Sequence, residues 1–445
     1  MLIDIIAGAR PNFMKIAPII RALQARAAAG GPLRYRLVHT GQHYDARLSG
    51  DFFVQLGIPA PDVNLEVGSG TQAEQTAAIM IGYERLLLAA PSRLCLVVGD
   101  VTSTMACAIA AQKLCVPVAH VEGGIRSGDW TMPEEINRMV TDAITNWFFT
   151  TSAFANANLR KAGVGEERIF FVGNTMIDSL LANLDRLQPP PFWDALELQP
   201  GGYFVVTLHR PANVDGSGSL ARLLAAIGAG TRGLPVIFPV HPRTAKTLRD
   251  LADLPANLHL VEPQSYLEFN YLVKHAKAVI TDSGGITEET TVLGVPCMTL
   301  RDSTERPETV SIGTNALIGT DPAKLAPALD RLFAGDWQRG AVPELWMGGR
   351  ASGSLRRSSA CWGARLPDDE DPPWERPPAA MRWRGDFGYR RPAAAPSRPE
   401  AAPTEPWATR TDALPGSPFL TTWTQRVQQF QIWAASRDPW WMRRA

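Results

Sequence analysis

The stretch "LIDIIAGARPNFMKIAPIIRALQARAA", residues 2–28, indicates the fold class. Its first six residues are apolar enough for a buried strand, "GARPN" is a polar turn, and a helix is predicted from about Phe13 to Ala28. Further strands rich in Val, Leu or Ile follow in "YRLVHTG", "RLCLVVGD" and "VPVAHVE". Because strands that alternate with helices are typical of a parallel sheet, this part of the chain is predicted to be α/β.

The same pattern begins again after a proline-rich break, "LQPPPFW". Its strands are "YFVVTLH", "LPVIFPVH", "NLHLVE" and "AVITDS". We therefore predict two doubly wound, Rossmann-like domains, over residues 1–185 and 200–348, that face each other across a cleft.

Residues 350–445 differ in kind from the rest of the chain. They contain 15 Arg, no Lys and 10 acidic residues, in Pro-rich pieces that show neither a helical nor an alternating period. Such a segment lacks a pattern that could bury a core, so an irregular and mostly disordered tail is predicted. Within it, only residues 421–437 have the apolar spacing of a short amphipathic helix.

The composition of the whole chain is that of an ordinary soluble globular protein, with 45% hydrophobic and 20% charged residues. The first residues lack a basic region and run into a polar turn, so they are interpreted as a strand and not a signal peptide. No apolar run reaches the roughly 20 residues of a membrane helix. Five cysteines without CxxC spacing favour reduced thiols. We expect a cytoplasmic protein without a metal, a membrane or a nucleic acid as partner.

Polar residues follow the predicted strands at the point where each strand ends. They occur in "GAR", "TGQHYD", "VGDVTST", "VEGGIR", "TLHRPAN", "PVHPRT" and "TDSGGITEE". In parallel α/β sheets the carboxyl ends of the strands form the edge where ligands bind. A polar strand end is common by itself, but so many together predict a ligand cleft.

Several of these turns are suited to bind phosphate groups. Ser283 and the two glycines after it precede a predicted helix, whose N-terminal N–H groups can approach an anion closely. His209 and Arg210 can donate charge-assisted hydrogen bonds to a second phosphate, and Arg10 can reach the same diphosphate from the other domain. Since neither GxGxxG nor GxxxxGK[ST] occurs, a dinucleotide or P-loop site has no support.

The loop "TLRDSTERPET" contains two arginines and two glutamates. Arg301 and Arg306 either contact the ligand or pair with Glu305 and Glu308 in a solvated loop. The sequence leaves both interpretations open.

Four carboxylates follow the first-domain strands "CLVVGD" and "VPVAHVE". Asp100 and Glu122 end buried strands, where a carboxylate is costly unless it is paired or used. On neighbouring strands they could shift each other's pKa and divide acid and base roles. Glu134 and Glu135 precede a helix predicted to begin near Ile136, and one of them is explained as a first-turn acid stabilised by the helix dipole.

From Met1 to about Arg350 the sequence resembles the non-hydrolysing UDP-N-acetylglucosamine 2-epimerases. The resemblance rests on "GARPNFMKIAP", "TGQHYD", "GDVTST", "HVEGGIRSGDWTMPEEINR", "GNTMIDSL", "TLHRPANVD", "PVHPRT" and "TDSGGITEETTVLGVP" followed by "RPET". It implies a two-domain fold of GT-B type and a homodimer. It also implies that UDP-GlcNAc and UDP-ManNAc are interconverted without a cofactor, by anti elimination of UDP through 2-acetamidoglucal.

The resemblance also implies roles for individual residues. The catalytic acids and bases, with a histidine against the departing diphosphate, would be Asp100, Glu122, Glu134 and His209. The UDP-sugar substrate would be bound by Arg10, Lys15, Arg138, Asn213, Ser283, Gly284, Gly285, Glu288 and Arg306. A second, allosteric UDP-GlcNAc would lie against Gln42, His43, Arg210 and His241.

Three alternatives remain beside this function. The family includes 2-epimerases of UDP-2,3-diacetamido uronic acid sugars. A glycosyltransferase of GT-B type would need an acceptor site and would not explain three acids around one sugar. A non-catalytic nucleotide-sugar binding protein is the third, because "VPELWMGGRASGSLRRSSACWG" begins like the closing segment of family members and then departs from it. The composition of the tail favours readthrough in a shifted frame over an added extension.

Overall fold

The computed structural model describes residues 2–41, 52–214, 217–240, 242–249, 251 and 253–347. In this part of the chain the strands form two sheets, and every strand pair is parallel. The first sheet contains β1 (Leu2–Ala7), β2 (Arg34–His39), β3 (Val63–Asn64), β4 (Leu94–Val98), β5 (Val118–Val121), β6 (Trp147–Thr150) and β7 (Ile169–Phe171). The second contains β8 (Phe204–Thr207), β9 (Val236–Pro239), β10 (Leu258–Val261), β11 (Ala278–Thr281), β12 (Cys297–Thr299) and β13 (Asn315–Leu317).

Helices connect the strands in both halves of the molecule. The first half is the part built around the first sheet, and the second half is the part built around the second sheet. They are α1 (Arg10–Ala28), α2 (Gln72–Ala89), α3 (Thr102–Lys113), α4 (Pro133–Ile144), α5 (Ala153–Lys161), α6 (Thr175–Asn183), α7 (Pro211–Val214), α8 (Ser217–Gly230), α9 (Pro242–Arg249), α10 (Tyr266–His275), α11 (Gly284–Leu293), α12 (Pro307–Ser311) and α13 (Leu325–Phe333). Short 3₁₀ turns occur at Glu166–Arg168, Leu184–Arg186 and Pro322–Lys324. None of the described helices is long and apolar enough to cross a membrane.

The strand order reverses once in each sheet. The orders are β3-β2-β1-β4-β5-β6-β7 and β10-β9-β8-β11-β12-β13, so the reversals lie between β1 and β4 and between β8 and β11. Ligands bind outside the carboxyl ends of the strands at such a switch point. The predicted α/β fold with two doubly wound sheets is confirmed. The limits of the domains at residues 185, 200 and 348 remain predictions. The predicted tail, residues 350–445, lies outside the described residues.

Two helices begin earlier than the sequence predicted. Helix α1 begins at Arg10 instead of about Phe13, because Pro11 suits the first helical turn and Asn12 Oδ1 accepts hydrogen bonds from the N–H groups of Gly8 and Ala9. Helix α4 begins at Pro133 instead of near Ile136. Its first turn therefore includes the two glutamates that were expected in a preceding loop.

The short strands β3, β6, β7, β12 and β13 were not predicted. Each contains only two to four residues, which is too short for a periodic signal. Beyond α13 the chain returns to the first sheet. The Trp346 side chain is buried against Ile177 and Leu180 of α6, and its Nε1 donates to the Thr151 carbonyl oxygen at 2.8 Å.

Candidate active site

Glu122 follows β5 at the carboxyl edge of the first sheet. Its backbone is in the left-handed region, with φ 69°, and its side chain is buried. Oε2 accepts hydrogen bonds from Lys15 Nζ and from an Arg306 terminal nitrogen, each at 2.7 Å. Burial raises the pKa of this carboxyl, but the two cations outweigh burial and lower it to about 2. Glu122 is therefore ionised in this arrangement.

Asp100 follows β4, the strand that pairs with β5. Its Oδ2 accepts hydrogen bonds from Arg138 Nε at 3.0 Å and from a terminal nitrogen of the same guanidinium at 2.6 Å. Asn137 donates to its carbonyl oxygen at 2.8 Å. Asp100 and Glu122 therefore follow neighbouring strands, as predicted. The charges that shift the pKa of Glu122 are those of Lys15 and Arg306, however, and not that of Asp100.

The two glutamates of α4 have different environments. Glu135 is buried, and its carboxylate accepts hydrogen bonds from the N–H groups of Ser127 and Gly128 and from Arg138. It therefore holds the preceding loop, which differs from the helix-cap role that the sequence suggested for one of the pair. Glu134 is half-buried, and its charge acts on Arg210 of the second half. Of the two, Glu134 remains the candidate acid or base.

The second sheet contributes a histidine oriented by a buried aspartate. Asp282 follows β11, and its Oδ1 lies 3.0 Å from His209 Nδ1. Asp282 also accepts hydrogen bonds from the N–H groups of His209 and Arg210 and from Asn213 Nδ2. The His209 side chain remains 46% exposed and so can reach a ligand. Asn213, predicted to bind substrate, is buried and also donates to the Leu300 carbonyl oxygen.

Asp282 was not singled out from the sequence, although it ends the predicted strand "AVITDS" as Asp100 ends "CLVVGD". The position alone could have marked it as a candidate. Its partner could not be read from the sequence, because His209 is 73 residues away.

Helix α11 begins at Gly284 with Ser283 as its N-cap residue, close to the prediction. A Cβ atom at Gly284 would overlap the Glu305 carboxylate, so a larger residue at this position would displace that side chain. Glu305 accepts a hydrogen bond from Arg301 at 2.5 Å, and both side chains are buried. Arg301 thus pairs with Glu305 of its own loop, which is one of the two predicted alternatives. The pair is not solvated as that alternative expected, because it lies against the N-terminus of α11.

Arg306 joins the two halves of the molecule. It bonds to Glu122 of the first half, and its Nε forms an ion pair with Glu288 of α11. Burial raises the pKa of Glu288 to about 8, and burial also raises the pKa of the nearby Glu308. Three buried carboxylates thus share the two cations Arg306 and Lys15, and the cluster favours a bound proton on Glu288 at neutral pH.

Some predicted residues cannot be located. Gln42, His43 and His241 lie outside the described residues, as does the side chain of Arg10. Of the proposed allosteric set, Arg210 is described. Its Nε donates to the Asp282 carbonyl oxygen at 3.0 Å, and its Nη1 lies 3.3 Å from Met132 Sδ.

Comparisons with known proteins agree with this arrangement. The family described as UDP-N-acetylglucosamine 2-epimerase matches residues 25–355. The UDP-N-acetylglucosamine 2-epimerase of Methanocaldococcus jannaschii is 41% identical over 341 residues, 74% of this chain and 92% of that protein. The UDP-2,3-diacetamido-2,3-dideoxy-D-glucuronate 2-epimerase of Pseudomonas aeruginosa is 38% identical over 322 residues, 72% of this chain and 88% of that protein.

Solved structures give the same result for the fold. The crystal structure of the M. jannaschii enzyme in complex with UDP-GlcNAc and UDP has a TM-score of 0.70 at 37% identity, and the match covers 82% of this chain and all of that one. The Neisseria meningitidis UDP-GlcNAc 2-epimerase bound to UDP-GlcNAc has a TM-score of 0.70 at 29% identity, over 81% of this chain and all of that one. Both relatives support the two-domain arrangement of GT-B type.

Proposed function

The chain belongs to the UDP-N-acetylglucosamine 2-epimerase family, and on that premise we propose that it interconverts UDP-N-acetylglucosamine and UDP-N-acetylmannosamine by inversion at C2. It is an epimerase and therefore an isomerase. Relatives with this name, and solved relatives with UDP-GlcNAc bound, support the choice of substrate.

One observation carries the proposal. Asp100 and Glu122 follow adjacent strands beside the switch point of the first sheet, and Arg306 reaches this edge from the second half. Carboxylates beside cations from another element are what proton transfer with departure of an anion requires.

The proposed reaction has two balanced steps. A carboxylate takes the proton from C2 as the bond from C1 to the diphosphate oxygen breaks, which gives a C1–C2 double bond and free UDP. UDP then adds back to C1 while a carboxylic acid returns a proton to the other face of C2. We assign the acid and base roles to Asp100, Glu122 and Glu134.

Charged donors would stabilise the departing UDP. We propose that His209, oriented by Asp282, donates to the diphosphate, and that Lys15 and Arg306 add positive charge. The Ser283 hydroxyl and the backbone N–H groups of Gly284 and Gly285 at the start of α11 would bind a phosphate in the same way. The functional roles of Arg10, Arg138, Asn213 and Glu288 in holding the substrate are proposals on the same footing. A second UDP-GlcNAc against Arg210 is a further proposal.

The reaction can be followed directly. The protein is incubated with UDP-GlcNAc in heavy water with no other additive, and the products are observed by NMR. We expect UDP-ManNAc with deuterium at C2, because the carboxylic acid that protonates the other face of C2 has exchanged its own proton with the solvent. Turnover without deuterium at C2 would exclude elimination and readdition.

The same experiment separates the alternatives. The P. aeruginosa relative named for a diacetamido uronate is as similar as some of the UDP-GlcNAc enzymes, so UDP-2,3-diacetamido-glucuronate is the second substrate to test. If the protein converts that sugar and does not convert UDP-GlcNAc, the diacetamido uronate sugar replaces UDP-GlcNAc as the proposed substrate. Binding of UDP-GlcNAc without turnover would indicate a binding protein, and turnover that requires a sugar acceptor would indicate a glycosyltransferase.

We also propose a homodimer, supported by exposed apolar residues on two helices that pack against a common third. Helix α4 directs polar residues inward, whereas Ile136 and Met139 are exposed on its outer side, and Ile81 and Leu88 are exposed on α2. Helix α3 packs against both. Apolar side chains that face outward together mark interaction surfaces. Light scattering should give twice the chain mass, and the double change Ile136→Glu and Met139→Glu should give the monomer; a monomeric wild type would contradict this.

A cytoplasmic location remains a proposal. The four described cysteines, Cys95, Cys107, Cys115 and Cys297, are free thiols. Free thiols are usual in reducing compartments, where disulfides are rare. Fractionation of cells that express the protein tests the location.

A further inference from the structure

A buried histidine behind the two strand-end carboxylates has an acceptor oxygen at each ring nitrogen. His120 lies in β5 and is 1% exposed. Its Nδ1 is 2.7 Å from Asp142 Oδ1, and its Nε2 is 2.8 Å from the Gly99 carbonyl oxygen. A carbonyl oxygen only accepts, so Nε2 must carry a proton for that bond to form.

The other bond depends on whether Asp142 is ionised. Its second oxygen accepts a hydrogen bond from the Gly124 N–H at 3.0 Å and forms an ion pair with Arg126 at 2.6 Å. Both of these partners favour the ionised form of Asp142 independently of the ring. An ionised Asp142 also only accepts, so Nδ1 must carry a proton as well. Both bonds form together only when the ring is an imidazolium.

The ring connects the two turns that carry the carboxylates. Gly99 immediately precedes Asp100, and Asp142 holds Gly124, two residues after Glu122. The second turn packs closely on the ring and leaves no room for a side chain at Gly123: a Cβ atom there would lie 2.8 Å from Phe148 Cδ1 and 3.4 Å from His120 Nδ1. The positive φ of Glu122 adds strain that the surrounding contacts must hold.

We infer that His120 is a positioning residue for the epimerase reaction, a buried imidazolium that with Asp142 clamps the Asp100 and Glu122 turns at a fixed separation. Because it is buried, it acts through these carboxylates and not on the substrate. The catalytic part of this inference rests on the proposed function, whereas the protonation of the ring does not.

The first test is independent of turnover. The full chain is labelled with ¹⁵N in its histidines, and the His120 signals are assigned by their loss in His120→Gln. Both ring nitrogens should give the signals of protonated nitrogen at the pH of the activity assay. A signal from an unprotonated ring nitrogen would overturn the imidazolium, whatever the protein catalyses.

The second test is a double-mutant cycle with Glu122. His120→Gln should lower kcat about 10²-fold, as a misplaced reacting group does, with KM within about twofold. If His120 acts through Glu122, adding His120→Gln to Glu122→Gln should cost little more than Glu122→Gln alone, whereas losses from a merely structural role add. His275→Gln is the matched control, because that ring also lies against a backbone carbonyl oxygen, of Tyr271, and should leave kcat unchanged.

Asp142→Asn serves if His120→Gln does not fold, since it keeps the size of the side chain and removes the charge that the ring needs. It should show the same loss of kcat with little change in KM. Additive losses in the cycle, or unchanged kcat in both variants, would overturn the positioning role. A wild type without turnover would instead refute the proposed function, and the ring nitrogens would still decide the imidazolium.

Discussion

A terminal guanidinium nitrogen of Arg306 lies 2.7 Å from Glu122 Oε2, across 184 residues of sequence. The contact joins the loop after β12 to the carboxyl end of β5, and the same guanidinium is ion-paired with Glu288. Both Arg306 and Glu122 are buried. The association of the two halves is thus coupled to the charge of a candidate catalytic carboxylate.

Removal of Arg306 should destabilise the protein strongly. Arg306→Leu leaves Glu122 with Lys15 alone and Glu288 without its cation, and breaking a buried pair typically costs about 3–5 kcal/mol. Urea unfolding at neutral pH measures the loss. The control is Arg160→Leu, which breaks an exposed pair with Glu166 and should leave the free energy of unfolding nearly unchanged. Equal losses in the two variants would contradict the coupling of the halves through Arg306.

Replacement of each candidate acid or base by its amide should slow the reaction. Glu122→Gln, Glu134→Gln and Asp100→Asn keep size but remove basicity, which typically costs about 10² to 10⁴ in rate. Steady-state turnover of UDP-GlcNAc measures this. Full activity in all three variants would make these charges structural. Glu166→Gln, at an exposed pair with Arg160, should keep wild-type activity.

Glu135 should behave differently from Glu134. Its carboxylate accepts two backbone N–H bonds and one from Arg138, so Glu135→Gln leaves at least one donor facing an amide N–H. We expect a loss of about 1–3 kcal/mol in the free energy of unfolding, from an unsatisfied buried group. Thermal and urea unfolding measure it. An unchanged stability would mean that the loop 127–128 is held by other contacts.

Stability should fall as pH rises from about 4.5 to 7 because of Glu289. Burial raises the pKa of this carboxyl to about 7, from an ordinary value of 4.5. In that range the native state binds more protons than the unfolded state, so rising pH favours unfolding, by on the order of 3 kcal/mol in all. Glu289→Gln should flatten the curve of unfolding free energy against pH, and the exposed Glu84→Gln should not. Parallel curves for Glu289→Gln and wild type would refute this.

The Trp346 side chain should contribute more to the free energy of unfolding than all residues after 350 together. Trp346→Ala removes a buried ring that packs on Ile177 and Leu180, which should cost about 3–5 kcal/mol. Trp346→Phe keeps most of the packing and loses the bond to Thr151, at about 1 kcal/mol. A chain that ends at residue 350 keeps all of these contacts and should unfold like the full chain. Loss of the fold on that truncation would refute the predicted tail.

Much of the fold could be predicted from local patterns. Apolar runs that end in polar turns marked β1, β4, β5, β8 and β11, because a strand covered on both faces of a parallel sheet is apolar along most of its length. The same strand ends marked Asp100, Glu122 and His209, since carboxyl ends of parallel strands meet at one edge. Short strands such as β13 carry too few residues for such a pattern.

The amino-acid sequence by itself determined the alternation of strands and helices, the two sheets and which polar residues lie at their edges, because these depend on neighbours a few residues apart. Only the tertiary structure decided which charges meet. Arg306 bonds to Glu122 and not to a neighbouring glutamate, Asp282 orients His209, and His120 spans two turns. Burial and the distance between charged groups set these partners and the pKa values that follow, and both arise when distant segments pack together.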